Sequence, residues 1–322
     1  MSKNYLILTI LILIAGLIIG FYFLKFQEPQ KITFGAAQKL SPDGFLTQII
    51  KIYGIDKKQG LDINFEYNEP GLTMTKLLNR QLEVAILAPV SAAKANLEGK
   101  RVRIFGPLLW NPISLVVPKD SPYSTLEELK GKKFGILPQI TGTYTNMALI
   151  AREKNWQLES DFQLVIGGLE DQVQFLKNRE VDLAVVYEPR SSKLIAAGEI
   201  REITTMDKLW QELTGTRFHF VQIAAYEDWI GNHKREAKKL VKTFLEAAEF
   251  VKNNPDLIEK HKDLLDIQTR GEISLMKERL PGLFPTEWNK TSLGNIDTLI
   301  KKAVGAGIIS KMPEEPVTLL LD

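Results

Sequence analysis

Polar and aromatic residues stand in short loops that directly follow apolar, strand-like segments of this 322-residue chain. We expect the following residues to contact a ligand: Gln38, Asp43, Glu69, Thr73, Ser91, Trp110, Asn111, Gln139, Thr141, Gly142, Thr143, Tyr144, Tyr187 and Glu188. In an open parallel sheet, ligands bind outside the carboxyl ends of the strands, where helix N-termini also point. The set therefore predicts a binding site for a small molecule.

Gln139, Thr141 and Thr143 precede or begin a predicted helix from about 143 to 154. Their side chains can hydrogen-bond a ligand, although capping is the commonest task of a threonine at such a position. Another helix is predicted to begin near Pro42. The two helix starts would present unpaired backbone N–H groups from opposite halves of the chain, and such groups can hold an anion without any arginine.

Three carboxylates, Asp43, Glu69 and Glu188, fall near the predicted mouth of the site, where only Arg190 is close in sequence. This balance disfavours a small oxyanion and suits a ligand with N–H donors or positive charge, such as a pyrimidine-type or amine-bearing compound. Glu188 could instead pair with Arg190 as a strut at a hinge, and the sequence leaves both readings open.

Aromatic residues in the same loops could have either of two roles. Trp110 and Tyr187 could stack on a planar ligand or pack at a hinge. His219 lies on a later predicted strand, and we interpret it as a packed histidine rather than a ligand contact.

Signals for catalysis are poor. The sequence contains no Gly-x-Ser-x-Gly, His-Glu-x-x-His or phosphate-binding Gly-x4-Gly-Lys-Ser/Thr motif. His219, His233 and His261 have spacings that suggest no metal site, and the absence of cysteine removes thiolate nucleophiles, thiolate ligands and disulfides. We therefore expect a binding protein that is not an enzyme and uses no cofactor or metal.

Composition excludes other classes. Apolar residues make up 44% and charged residues 25% of the chain, which are ordinary globular values. The 41 basic and 39 acidic side chains leave a net charge of +2. This is not the large basic excess that is typical of a nucleic-acid-binding protein.

The elements that must position these residues form an internal repeat. The block Asn79-Arg80 through Leu87 is echoed by Asn178-Arg179 through Val186, and Phe34-Gly35 is echoed by Phe134-Gly135. The spacing of about one hundred residues exceeds the 20 to 50 residues of a solenoid unit. We interpret the repeat as two α/β lobes with a ligand cleft between them.

Within each copy, strand-like and helix-like segments alternate in the order βαβαβ, which predicts mixed, mainly parallel sheets. A later strand at 218–225 is expected to return to the first lobe. The predicted organisation is a signal anchor and tether at 1–30, lobe 1 at 31–114 and 217–322, and lobe 2 at 115–216. Hinges are predicted near Leu115 and Gly215.

Four stretches, in this order, make the chain resemble a known family: Gly60-Leu61-Asp62, residues 124–132 with Leu129-Lys130-Gly131-Lys132, the turn from Pro138 to Thr143, and Val181-Asp182-Leu183-Ala184 followed by Glu188-Pro189. The family is that of extracytoplasmic solute-binding proteins of the nitrate/sulfonate/taurine/pyrimidine-precursor class, the receptors of ABC importers. The resemblance implies a type II periplasmic-binding fold, with two α/β lobes that close over a solute. It also implies ABC permease subunits as partners of a monomer.

The chain departs from the family pattern before the third strand, where Gln81-Leu82-Glu83-Val84 replaces the usual Gly-x-Val-Asp. It also lacks a cysteine for lipidation. Residues 5–24 are twenty uncharged residues, long enough to cross a bilayer core of about 30 Å. They predict an uncleaved anchor that holds the protein at the outer face of the cytoplasmic membrane, and a cleaved signal peptide is the alternative.

Two other functions fit the same resemblance. One is an enzyme of a pyrimidine or menaquinone pathway on this fold, since fold does not determine function. The other is the ectodomain of a sensor.

Overall fold

Two five-stranded mixed sheets divide the chain in the computed structural model, which describes residues 29–139 and 141–321. The strands are β1 Gln30–Ala36, β2 Leu61–Tyr67, β3 Val84–Leu87, β4 Val102–Trp110, β5 Ile113–Pro118, β6 Lys133–Ile136, β7 Gln163–Ile166, β8 Leu183–Tyr187, β9 Ile200–Thr205 and β10 His219–Tyr226. The first sheet has the order β2-β1-β3-β10-β4, and the second has the order β7-β6-β8-β5-β9. In each sheet the first three strands are parallel and the fourth runs antiparallel to them.

Helices connect these strands. They are α1 Pro42–Ile52, α2 Ile55–Lys58, α3 Pro70–Leu78, α4 Pro89–Leu97, α5 Gly142–Glu153, α6 Leu158–Asp161, α7 Leu169–Lys177, α8 Arg190–Ala196, α9 Met206–Thr214, α10 Glu227–Asn232, α11 Lys234–Asn253, α12 Asp256–Lys260, α13 Arg270–Arg279 and α14 Lys290–Gly305. Short 3₁₀ helices occupy Glu127–Leu129, Lys262–Leu265 and Leu280–Leu283. Within residues 124–132 the only helical element is the 3₁₀ turn, and Glu128 accepts hydrogen bonds there from the backbone N–H groups of Ser124 and Thr125.

The strand registers confirm the internal repeat. Phe34 and Gly35 pair with Val84 and Ala85 in the first sheet, and the echoed Phe134 and Gly135 pair with Leu183 and Ala184 in the second. Neither glycine leaves room for a Cβ. One at Gly35 would come within 2.9 Å of the Ala85 Cβ on the adjacent strand, and one at Gly135 within 2.6 Å of the buried Gln172 Oε1.

Each sheet is covered by helices on both faces, because its central strands are apolar on both sides. In the first lobe, Phe34 and Val84 face one core beneath α1 and α11, while Ala85 and Leu87 face another beneath α4 and α14. The second core continues into the second lobe, where it includes Phe134 and the buried side of α5. One apolar cluster therefore joins the two lobes.

The chain crosses between the sheets twice. The first crossing is Asn111-Pro112, between β4 of the first sheet and β5 of the second, and the second lies between α9 and β10. The hinge predicted near Leu115 stays a prediction, but the crossing itself lies just before that residue. Leu115 is fully buried in the middle of β5, where it pairs with Val185 and Thr204.

The second crossing lies next to Gly215, which ends α9 with a positive φ of 74°. Strand β10 returns to the first sheet as predicted and pairs with β3 and β4. Residues 113 and 114, assigned to lobe 1 from the sequence, belong to the second sheet.

The predicted anchor at residues 5–24 lies outside the residues that the structure describes. Among helices within 29–139 and 141–321, none is both long enough and apolar enough to cross a membrane.

Candidate functional site

The loops that follow β1, β2 and β3 lie at the carboxyl ends of the parallel strands of the first sheet, and those that follow β6, β7 and β8 lie at the corresponding edge of the second. Parallel strands place their carboxyl ends at one edge of each sheet, so the loops of one lobe lie together. Every predicted site residue except Trp110, Asn111 and Tyr187, the last residue of β8, belongs to these loops or to the first turn of the helix that follows.

Asp43 stabilises the loop after β1 from inside. Its carboxylate is 3% exposed and accepts hydrogen bonds from the Ala37 N–H at 3.2 Å and the Ser41 hydroxyl at 2.7 Å. Burial raises the pKa of the Asp43 carboxyl despite these donors. Ser41 also caps α1 by accepting from the Gly44 N–H, so the start of this helix is partly satisfied by its own loop.

Gln38 and Glu69 are brought together at the exposed rim of the first lobe. The Gln38 amide donates to the Glu69 carboxylate, and both side chains are solvent-exposed. Thr73, in contrast, is fully buried and donates to the Ala36 carbonyl at 2.9 Å, which fastens α3 to the end of β1. Ser91 is half-buried in the first turn of α4.

The start of α5 forms the opposite wall. Thr141 is its N-cap and accepts from the Tyr144 N–H. Thr143 is 2% exposed, and its hydroxyl hydrogen-bonds the hydroxyl of Tyr187 at the end of β8. Burial raises the pKa of Tyr187 to about 12, so the phenol stays neutral.

Tyr187 also reaches the other lobe. Its ring packs edge-on against Phe220 of β10, with 6.0 Å between ring centroids. The Thr143–Tyr187–Phe220 contact is thus a point where the two lobes touch beside the predicted ligand position. Phe220 was not among the residues predicted from the sequence, since nothing in its local pattern distinguishes it from other strand residues.

Tyr144 points away from Thr143, because successive helical residues project about 100° apart. Its hydroxyl donates to Glu159 at 2.6 Å, and burial together with this contact raises its pKa to about 12. Tyr144 and Gln139 line an interlobe cavity of about 310 Å³. Its charged lining residues are Lys94 of the first lobe and Arg152 and Glu159 of the second.

Trp110 and Asn111 stand at the first crossing, away from the loops. The Trp110 ring lies 4.3 Å from the His219 ring and 4.7 Å from the Arg217 guanidinium, measured between centres. These neighbours support the packing interpretation of Trp110. Asn111 is 1% exposed and accepts from the Ile113 N–H, so it shapes the crossing.

His219 is 2% exposed, and neither ring nitrogen has a hydrogen-bond partner among the described residues. Burial, with a smaller contribution from the charge of Arg217, lowers its pKa to about 3. The ring is therefore neutral, as expected for a packed histidine.

Glu188 pairs with a residue that the sequence did not indicate. Arg190, its predicted partner, instead binds Glu170. The Glu188 carboxylate lies 2.8 Å from Nε of Arg279, in the last turn of α13. No local pattern could reveal this pairing, because α13 follows the second crossing and reaches Glu188 only in the folded chain.

Among the described residues, only Glu188 of the three loop carboxylates is paired with a cation, Arg279. Asp43 is held by its own loop and Glu188 by Arg279, while Glu69 accepts from Gln38. No group of three or more His, Asp or Glu side chains that could hold a metal occurs in the part of the chain that the structure describes. For Asp43 and Glu188, which are buried, the structure weakens the reason for expecting a cationic ligand, whereas the exposed Glu69 carboxylate keeps that reason.

Comparison with known proteins places these features in a family. The model of the NMT1/THI5-like family matches residues 56–258. A search of curated proteins found no match.

Solved structures share the fold over almost the whole chain. The periplasmic aliphatic sulphonate binding protein SsuA of Escherichia coli is 14% identical, with a TM-score of 0.70, and the alignment covers 89% of this chain and 96% of that one. The alkanesulfonate-binding SsuA of Xanthomonas axonopodis pv. citri, bound to MOPS, is 13% identical, with a TM-score of 0.70 and coverages of 91% and 99%. The ligand-binding component of an ABC-type import system of Staphylococcus aureus, with zinc bound, is 12% identical, with a TM-score of 0.66 and coverages of 90% and 97%. These similarities confirm the predicted periplasmic-binding-protein fold.

Proposed function

The chain belongs to the NMT1/THI5-like family, and from this premise we propose that it is the solute-binding receptor of an ABC importer. It captures a small organic or oxyanion solute between its two lobes and presents the closed form to a permease. The observation that carries the proposal is the pair of duplicated lobes, each of which ends its three parallel strands in polar loops, and we expect the solute to bind between the two sets of loops. The names of the structural neighbours support it, since they are binding proteins for import.

The mechanism is hinge closure at the two crossings, Asn111-Pro112 and the segment that follows Gly215. A few residues at element ends can absorb the backbone rotation while each lobe moves as a rigid body. Thr143 and Tyr187 from one lobe then approach Gln38 and Ser91 from the other. Closure also removes water from the solute, which strengthens each hydrogen bond to it.

The donors that remain available favour an anionic or neutral polar head group. The first backbone N–H groups of α5, at Gly142 and Thr143, point out of the helix start, and the helix dipole adds partial positive charge there. Gln139 precedes them, and Lys94 and Arg152 line the adjoining cavity. The buried carboxylates of the loops have protein partners, so they present little uncompensated negative charge to a solute.

A thermal-shift panel tests this function. The protein is unfolded and refolded to remove any carried-over solute, then heated with nitrate, bicarbonate, taurine, alkyl sulfonates, aminopyrimidines, thiamine or polyamines. A solute at 100 times its Kd adds about 2.7 kcal/mol to the free energy of unfolding, which raises Tm by several degrees. We expect the shift among anionic or neutral compounds, and a shift with polyamines alone would contradict the head-group assignment.

Thr143→Val supplies the site control, because it keeps the size of the side chain and removes the hydroxyl that contacts Tyr187. We expect it to abolish the shift, whereas Thr291→Val, on the exposed surface of α14, should retain it. Recovery of a chemically changed compound after incubation would instead favour the enzyme alternative.

The proposed location is the outer face of the cytoplasmic membrane, with residues 5–24 as the anchor and the protein acting as a monomer. Protease added to intact cells or spheroplasts should digest residues 29–322 if this is right. Capture of a kinase rather than a permease would favour the sensor alternative.

A further inference from the structure

Arg279 joins three residues of the second lobe in a largely buried polar network. Its Nε lies 2.8 Å from Glu188 on one side, and a terminal nitrogen donates to Glu202 and, at 3.0 Å, to Ser114 on the other. Ser114 in turn donates to Glu202 at 2.6 Å. The side chains of Glu188 and Arg279 are 2% and 18% exposed, so water screens their attraction only weakly.

This network crosses from one lobe to the other. Helix α13 packs into the core of the first lobe through Met276, which is fully buried there together with Leu280 just after the helix. Glu188, Glu202 and Ser114 belong to the ends or interior of strands in the second sheet. Arg279 is therefore carried by a helix that packs on the first lobe, while its guanidinium contacts residues of the second lobe.

The network ends at the wall of the cleft. Glu188 directly follows Tyr187, whose hydroxyl contacts Thr143 and whose ring contacts Phe220. A change in the position of Glu188 is transmitted through one peptide unit to Tyr187. The position of α13 relative to the second lobe is thus coupled to the geometry of the predicted binding surface.

The chemistry of the network requires arginine. Two carboxylates share one guanidinium, whose Nε and terminal nitrogens face them in a fixed planar fork. A lysine ammonium keeps the charge but cannot reach both carboxylates with that geometry. Another interlobe ion pair, Lys193–Asp266, is a single contact between more exposed side chains, at 30% and 61%.

We propose that Arg279 is a positioning residue of the cleft, supplied by the first lobe, which fixes the Tyr187–Glu188 wall and the relative placement of the two lobes. The role in solute binding rests on the proposed function, whereas the mechanical link between the lobes does not. The test is therefore made on the solute-free protein, so failure of the link and failure of the function are distinguishable.

The distance between the lobes is measured by pulsed electron paramagnetic resonance on the full chain. The sequence contains no cysteine, so Asn64→Cys on β2 and Gln174→Cys on α7, both exposed, carry the only two spin labels. We expect the otherwise unchanged protein to give a narrow distance distribution. Arg279→Lys should broaden it or shift it to another distance, and Lys193→Gln, the matched control, should leave it unchanged.

Superimposable distributions for Arg279→Lys and the unchanged protein would overturn the proposal, as would equal broadening by Lys193→Gln. If Arg279→Lys does not fold, the double variant Glu188→Gln with Arg279→Gln gives the second measurement, because it removes the buried ion pair without leaving Glu188 charged and unpaired. The proposal requires a broadened or shifted distribution there too, and an unchanged one overturns it.

Discussion

Buried charges in the loops show how a side chain acquires its role from residues distant in sequence. Glu188 and Asp43 are both carboxylates at the mouth of the predicted site, and burial raises the pKa of each. Asp43 is held by neighbours in its own loop. Glu188 instead depends on Arg279, whose other partner Ser114 lies 165 positions away along the chain.

Arg279→Gln should therefore be strongly destabilising. It leaves Glu188 buried without a cation, and removal of one member of a buried pair costs about 3–5 kcal/mol. Glu188→Gln in the same chain should recover a large part of that loss, because the unpaired charge is gone. Urea denaturation of the two single variants and the double variant measures the coupling energy between the two side chains. Strictly additive changes in the free energy of unfolding would contradict the pairing.

The ionisation of Glu188 should also appear in the pH dependence of stability. Burial raises its pKa above the usual 4.5 even though Arg279 opposes the shift. The folded state then binds the proton more tightly than the unfolded chain, so this group favours folding increasingly as pH falls through the raised pKa and disfavours it as pH rises.

Glu188→Gln removes that dependence while Arg279 keeps Glu202 as a partner. We expect the variant to gain stability relative to the unchanged protein at neutral pH and to lose this advantage towards pH 4.5. Unfolding free energies measured at a series of pH values test this, and parallel curves for the two proteins would contradict it.

At the scale of elements, the repeated Asn-Arg pair explains how each lobe turns from a helix into its third strand. Arg80 and Arg179 both have a φ of 59°, in the left-handed region. The residue after each arginine donates back to the helix, Gln81 to Lys76 and Glu180 to Phe175, both at 2.8 Å. This is the hydrogen bond of a Schellman ending, where glycine is the usual residue in the left-handed position.

Glycine at these positions should relieve backbone strain. We expect Arg179→Gly to raise the free energy of unfolding by about 0.5–1 kcal/mol, since left-handed backbone costs a residue with a Cβ about 1–2 kcal/mol and the flexibility of glycine offsets part of the gain. Arg80→Gly should gain less, because the Arg80 guanidinium stacks 3.7 Å from the Tyr226 ring centre and is lost with the substitution.

Arg179→Ala is the control for this pair, as it removes the exposed contact with Asp120 but keeps the strain. Chemical denaturation should therefore place Arg179→Gly above the unchanged protein and Arg179→Ala at or below it. The reverse order would show that the contacts of the Arg179 side chain stabilise the fold by more than glycine gains through relief of backbone strain.

The helix ends at Arg80 and Arg179 are encoded by local sequence. Features of this kind explain why the sequence predicts the lobes well and the binding site less completely. The repeat, the βαβαβ order and the return of β10 depend on local patterns that hydrophobic periodicity and turn residues encode. The inward direction of Asp43 and Thr73, the contact of Tyr144 with Glu159 and the arrival of Arg279 depend on packing between segments far apart in the chain. The crossing lies just before the hinge predicted near Leu115 for a similar reason, since β5 continues the apolar pattern without showing which sheet it joins.

At the scale of the whole molecule, the lobes are joined by contacts of two kinds. A continuous apolar core runs through the crossings, with Ile113 and Phe218 both fully buried in it. Polar contacts flank it, among them Lys302–Glu153 between α14 and α5 and Lys193–Asp266 between the second lobe and the segment before α13. Polar contacts exchange with water at little cost, so hinge motion can break them while the apolar core keeps the lobes together.

Exposed apolar side chains suggest where the proposed permease would contact the closed form. Of the large apolar residues exposed in the described part of the chain, Leu40 and Leu72 lie beyond β1 and β2, and Ile166 and Leu169 lie at the end of β7. Strands β2 and β7 are edge strands of their sheets, and β1 lies next to β2. We expect Leu40 and Leu72 in the first lobe, and Ile166 and Leu169 in the second, to form two apolar lips at the mouth of the cleft, because contiguous apolar surface marks interaction sites.

A permease that recognises the closed receptor should touch both lips at once. A photoreactive amino acid placed at Leu72 or Leu169, in cells of the source organism, should crosslink to a membrane protein with several spans, and added solute should increase the yield because closure brings the lips together. Ile52 is the matched control, since it is equally exposed at 51% but stands at the far end of α1, away from the cleft. The same product from Ile52, or products from only one lip, would contradict a permease that reads the closed form.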